Sequence, residues 1–152
     1  MKLLINKDKL HDKSPQQYSF SKWGNVVRKM SPAKRIEMIR NGVKVSLLVD
    51  AGQYYGLSQK KLAKLLGISN ATITRKLNSQ EKLGPIESER LARIALIETE
   101  AEEVFTSPEL AKQWMLEPNL VLGESPLSLL DTDTGADEVR KILAAIADGS
   151  VA

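Results

Sequence analysis

The chain has 152 residues, 42 % of them hydrophobic and only 5 % aromatic, with 22 lysines and arginines against 19 aspartates and glutamates. That composition suits one domain or two small ones around an aliphatic core. The absence of cysteine excludes disulfides and thiolate metal sites and fits a reducing cytoplasm, and the lone His11 argues against histidine ligation or general-base catalysis.

Residues 1–20 alternate Lys, Asp, Asn, Ser and Gln with few apolar side chains, which predicts a flexible or loosely docked leader. Residues 1–6 are too short for a signal-peptide core, and no apolar run of about 18 residues is present for a membrane span. Ser31-Pro32 is an N-cap and first-turn pair; it opens a helix whose buried stripe is Ile36, Met38 and Ile39 and which Asn41-Gly42 stops. A further helix over 46–55 turns Leu47, Leu48 and Ala51 inward and ends at Gly56. It is expected to pack over the next two helices as the third member of a trihelical core.

Residues 59–77 have the spacing of a helix-turn-helix. Leu62, Leu65 and Leu66 share one face, and Ala63 is small where a second helix crosses. Gly67 stands just past the helix end, where positive φ is needed, and Ser69 caps a second helix with Ile73 and Leu77 facing inward. Its outward face is Asn70, Ala71, Thr72, Arg75 and Lys76, short, polar and cationic. Such a helix reads base edges in the major groove of double-stranded DNA. Arg75 and Asn70 are the candidates for bases, through bidentate contacts to guanine and adenine; Gln59, Lys60, Lys64, Ser69, Thr74 and Lys76 are candidates for phosphates. An ordinary helical hairpin with a solvated basic face is the plain alternative, but Ala63, Gly67, Ile73 and Leu77 meet separate positional demands of the motif together.

After residue 82 the pattern changes. Gly84-Pro85 starts a long helix, a possible spacer, with Leu91, Ile94, Ala95, Ala101, Val104 and Phe105 on its apolar side and Glu87, Glu89, Glu98, Glu100, Glu102 and Glu103 at its start and on its exposed surface. Ser107-Pro108 opens another helix ending near Leu116, with Trp114 as a core anchor, followed by a Glu117-Pro118-Asn119 loop. A short helix capped by Ser125, a turn, and a final amphipathic helix with Val139, Leu143 and Ile146 close the chain at Gly149. No stretch alternates with period two, so the fold class is all-α. The last thirty or so residues bury too little surface to stand alone and must dock on the rest of the chain or on another protein.

Charge divides the chain. Residues 1–82 carry 17 lysines and arginines against 5 acids, a net +12, whereas residues 83–152 carry 5 against 14, a net −9. The cationic half collects a phosphate backbone in a salt-sensitive way, and the acidic half faces away, toward a partner with a cationic surface, or simply keeps the domain soluble.

The run Pro126-Leu127-Ser128-Leu129-Leu130-Asp131-Thr132 with Gly135 and Val139, placed after Trp114 and Pro118-Asn119 and behind a Cro-like helix-turn-helix, resembles the Xre/MbcA/ParS antitoxins of RES-type toxin–antitoxin systems. The resemblance covers 32–149, and Glu124 stands where that family usually has a second glycine. It implies a leader with dimerisation helices over 1–43, a DNA-binding domain over 44–105 and a small helical toxin-binding domain over 106–152. It further implies binding to the operon's own promoter and a RES-type toxin that degrades NAD and is blocked by the C-terminal end; a homodimer or higher assembly on an inverted repeat is expected because one short reading helix covers too few base pairs for useful specificity. The candidate toxin-binding residues are then Asp131, Thr132, Gly135, Glu138, Arg140, Asp148 and Gly149, within an acidic cluster that includes Asp133 and Asp137. No cofactor, metal or catalytic residue is expected, because the glutamates have no His, Cys or Gly-rich phosphate loop beside them. A stand-alone repressor is the alternative function.

Overall fold

In the computed structural model, which describes residues 19–150, one long helix is the axis on which the other elements pack. The elements are α1 (Phe20–Lys29), α2 (Pro32–Asn41), α3 (Val45–Tyr55), α4 (Gln59–Leu66), α5 (Asn70–Ser79), α6 (Pro85–Phe105), α7 (Pro108–Leu116) and α8 (Asp133–Ala147), with a 3-10 turn (Leu127–Asp131) before α8. The described residues are all-α and carry no strand, only an isolated antiparallel bridge between Lys44 and Lys82. No helix among them is long and apolar enough to cross a membrane.

α6 is not a spacer. It packs against α1, α2, α4, α7, α8 and the 3-10 turn, so it is buried nearly all round along its middle, from Leu91 to Ala101. A helix covered on several sides shows no single apolar stripe, which is why its pattern read as a two-faced surface helix. Glu98 was expected on that surface, yet it is buried, 3 % exposed. Its Oε1 accepts from Tyr54 Oη at 2.9 Å and its Oε2 from Tyr55 Oη at 2.7 Å, so α3 supplies the partners that make burial of a carboxyl tolerable.

α1 is an element that the sequence reading passed over. Phe20, Trp23 and Val27 fall on one face at i, i+3 and i+7, and all three are buried. The expected leader therefore ends before Phe20; residues 1–18 lie outside the described part. Gly24 allows the close crossing of α1 on α6, because a Cβ there would stand 2.4 Å from the Ala95 carbonyl oxygen and 2.2 Å from Thr99 Oγ1.

α2 begins and ends where expected. Ser31 Oγ accepts from the Lys34 N–H at 3.2 Å, and Gly42 closes the helix at φ +81°. Its stripe is narrower than expected: Met38 is buried and Ile39 half-buried, but Ile36 is 48 % exposed. α2 lies on the outside of the body, and only one edge of it is covered.

α3, α4 and α5 form the trihelical core, with Leu47, Leu48, Ala51, Leu62, Ala63, Leu66 and Ile73 buried and Leu77 packed at its edge. At the C-terminal end the docking requirement is met internally. α8 lies on α6, and the 3-10 turn lies on both α6 and α4. Met115 and Ala111 are the buried residues of α7, whereas Trp114 is half-buried and packs its ring on Phe105, centroids 5.6 Å apart. Gly135 lies in the first turn of α8, where a Cβ would meet the Leu129 carbonyl oxygen at 1.9 Å.

Candidate nucleic-acid interface and partner surface

The reversal between α4 and α5 needs two things of Gly67. It sits at φ +67°, and the Arg90 guanidinium from α6 passes where a Cβ would be, at 2.2 Å, to donate to the Leu66 carbonyl at 2.8 Å. Glycine meets both demands without strain, whereas a side chain would have to bear the positive φ and displace the Arg90 guanidinium. Ser69 Oγ then accepts from the Thr72 N–H at 3.0 Å and lies 2.6 Å from Thr72 Oγ1, so α5 is capped and its first turn fixed.

The exposed faces of α4 and α5 carry Lys60, Lys64, Ser69, Asn70, Ala71, Thr74 and Arg75, with Thr72 half-covered. Several of these candidates are held by neighbouring side chains. Gln59 Nε2 donates to Asn70 Oδ1 at 2.7 Å and to Thr74 Oγ1 at 2.9 Å, which ties the start of α4 to the reading helix. Arg75 is paired with Glu81 at 2.6 Å, both exposed. Lys76 differs from the rest: its side chain is only 16 % exposed, and its Nζ donates to the Lys82 carbonyl at 2.8 Å. Its charge therefore lies at the C-terminal end of α5, where it closes the loop into α6.

At the other end, Asp131 is exposed at the close of the 3-10 turn. Thr132 Oγ1 caps α8 by accepting from the Gly135 N–H at 2.9 Å, and Gly149 follows α8 at φ +72°. Thr132, Gly135 and Gly149 thus shape the backbone here. Of the charged candidates, Glu138 pairs with Lys141 at 2.8 Å and Arg140 with Glu100 at 3.2 Å, while Asp148 is exposed. Asp133 is taken up by Arg93, which also donates to the Leu130 carbonyl at 3.1 Å and so staples the 3-10 turn and α8 onto α6. Asp131, Thr132 and Gly135 lie at the start of α8 and Asp148 and Gly149 at its far end, with the 15 residues of the helix between them, so the structure does not gather these candidates at one place; two of the acidic groups, Asp133 and Glu138, already have internal partners. Sequence reasoning missed Glu81, Arg90 and Arg93, whose partners are distant or lie across a turn that no local pattern announces.

Between the two ends, Leu57, Lys61, Lys64 and Leu65 face Leu116, Ser125, Leu127, Ser128 and Asp131 across a cleft of about 360 Å³. The buried tyrosine–carboxyl cluster lies between α3 and α6, with Lys112 Nζ 4.8 Å from the Tyr54 ring centre. Burial pushes the Glu98 carboxyl above its ordinary value, against the opposing pull of the two tyrosine hydroxyls, and the same burial and the nearby carboxylates raise Tyr54 and Tyr55. No group of His, Asp and Glu among the described residues is arranged to hold a metal ion.

A helix-turn-helix joined through a shared central helix to a small acidic helical unit defines the class of protein. Residues 34–96 match the antitoxin Xre-like helix-turn-helix domain, and residues 100–149 match the antitoxin Xre/MbcA/ParS C-terminal toxin-binding domain. The chain is 30 % identical over 132 residues to the Prs ADP-ribosylating antitoxin of Sphingobium sp. (strain YBL2), covering 80 % of this chain and 83 % of that protein. It is 30 % identical over 124 residues to an antitoxin Xre of Yersinia enterocolitica, covering 78 % and 84 %, and 27 % identical over 132 residues to an antitoxin Xre of Photorhabdus laumondii, covering 85 % and 89 %. The chain belongs to the Xre family of antitoxins.

Proposed function

We propose that this protein inhibits a cognate RES-family, NAD-degrading toxin and represses its own operon by binding an inverted repeat in the promoter as a dimer or higher assembly, in the cytoplasm. It is not itself an enzyme. The observation that carries this reading is the pairing, on one α6 axis, of a capped and exposed reading helix with an end that matches a toxin-binding domain.

Arg75 and Asn70 read bases, and Gln59, Lys60, Lys64, Ser69, Thr74 and Lys76 hold phosphates, with Lys76 swinging away from Lys82 to do so. One short reading helix covers too few base pairs for useful specificity, which requires two copies. On the toxin side, Asp131 presents a carboxylate suited to a pocket that binds the pyrophosphate of NAD, beside a backbone shaped by Thr132 and Gly135, while Asp148 and Gly149, at the far end of α8, meet a separate part of the toxin surface.

The test is copurification with the product of the adjacent gene, followed by NAD consumption with and without this chain. The full chain is expected to suppress consumption, and a chain truncated before Asn119 is expected not to. Full inhibition by the truncated chain overturns the toxin-binding half. The relative named as a Prs ADP-ribosylating antitoxin favours a second reading of the toxin's chemistry, transfer of ADP-ribose to a protein. Label from adenine-labelled NAD appearing on protein, rather than as free ADP-ribose, distinguishes the two.

A further inference from the structure

Residues 119–124 form a loop that is closed by its own hydrogen bonds. Asn119 Oδ1 accepts from the N–H groups of Val121 at 2.9 Å and Leu122 at 3.1 Å, the Asn119 carbonyl accepts from Gly123 at 2.8 Å, and the Asn119 N–H donates to the Glu124 carbonyl at 3.1 Å. Gly123 turns the chain at φ +82°. Leu122 points back and packs on the core, while Leu120 is fully exposed and Val121 is 68 % exposed. A loose loop can fold aliphatic side chains back onto the body; this one is held so that two of them stand in water, which costs free energy unless something covers them.

We propose that Leu120 and Val121 are the apolar anchor of the toxin interface, seated in a hydrophobic pocket of the toxin with Asp131 and its polar neighbours as the rim. The inference rests on the antitoxin reading above and names the part of the surface that carries affinity. Three observations favour the toxin as occupant. The loop lies inside the stretch that matches a toxin-binding domain. It is continuous with the end that bears the acidic candidates, because Ser128 Oγ of the 3-10 turn donates to Glu124 Oε1 at 2.7 Å. And Asp133, Glu138 and Arg140 are already paired within the chain, so charge alone leaves few groups to hold a partner. Because the loop is ordered beforehand, binding does not bear the entropy of fixing it.

The test uses the full chain and the product of the adjacent gene, with L120S/V121S, L120M/V121I and Asn119→Ala. Both aliphatic positions are at the surface, so circular dichroism and operator binding are expected to match the unaltered chain in all three. L120S/V121S is expected to weaken toxin binding at least about tenfold, because it removes two buried aliphatic side chains from the interface. L120M/V121I is expected to restore it, and Asn119→Ala to lose an intermediate factor by freeing the loop. Toxin binding by L120S/V121S equal to the unaltered chain overturns the proposal. So does self-association of the chain alone that disappears in L120S/V121S, since the occupant is then a second copy. No binding by the unaltered chain overturns the antitoxin reading itself, and this inference with it.

Discussion

On the helix-turn-helix face, polar side chains hold one another, Gln59 on Asn70 and Thr74 and Arg75 on Glu81; on the 119–124 loop, backbone groups hold two aliphatic side chains away from the body. On the first face Gln59, Asn70, Thr74 and Arg75 bind only by exchanging one set of polar partners for another, each for a modest net gain, so the total depends on the counterions released as the exposed Lys60 and Lys64 meet phosphates. The second removes apolar surface from water and answers weakly to salt. Operator binding and toxin binding should therefore separate cleanly on a salt titration, although both surfaces hang on the same helix.

That shared helix is also where the comparison is most easily broken. Trp23→Ala empties a fully buried site between α1 and the rest of the core and is expected to cost about 3–5 kcal/mol in urea unfolding. Both faces should fail together; loss of one alone would mean that the two ends fold independently. Gly135→Ala is expected to cost about 1–3 kcal/mol, because its Cβ must displace the Leu129 carbonyl. The damage should stay at the toxin end, with operator affinity unchanged.

Smaller changes sharpen the DNA face. Arg75→Ala is expected to remove about 1–3 kcal/mol of discrimination at one base pair, whereas Lys64→Ala should weaken all sequences alike and lower the salt slope by about 1. Binding measured on a panel of operator variants at several salt concentrations separates them. If Arg75→Ala leaves base preference intact, Arg75 serves Glu81 and the fold instead.

The smallest effect is expected between the faces, at Glu98. Its carboxyl binds a proton more tightly in the folded chain than in the unfolded one, so its contribution to stability is full below its ordinary value of 4.5 and is lost as pH rises toward the raised folded value. Glu102, also raised by burial, adds to the same slope, while Lys112 opposes it at Glu98. Glu98→Gln should flatten thermal stability across that window; an unchanged profile would mean that Glu98 contributes none of the slope.

The sequence by itself determined the elements with local causes. Ser31, Ser58, Ser69 and Ser107 cap helices through their own hydroxyls, Gly67 ends α4 at positive φ, and the spacing of Leu62, Ala63, Leu66 and Ile73 specifies the motif, because capping and periodicity act within a turn or two. The tertiary structure decided what depends on neighbours far along the chain. Glu98 is buried because tyrosines some forty residues away reach it, α6 is central because helices from both ends cover it, and Asp133 is occupied because Arg93 is there to meet it. The exposure of Leu120 and Val121 belongs to the same class. The sequence puts this pair in a loop without saying which way it faces, and the hydrogen bonds to Asn119 turn it outward.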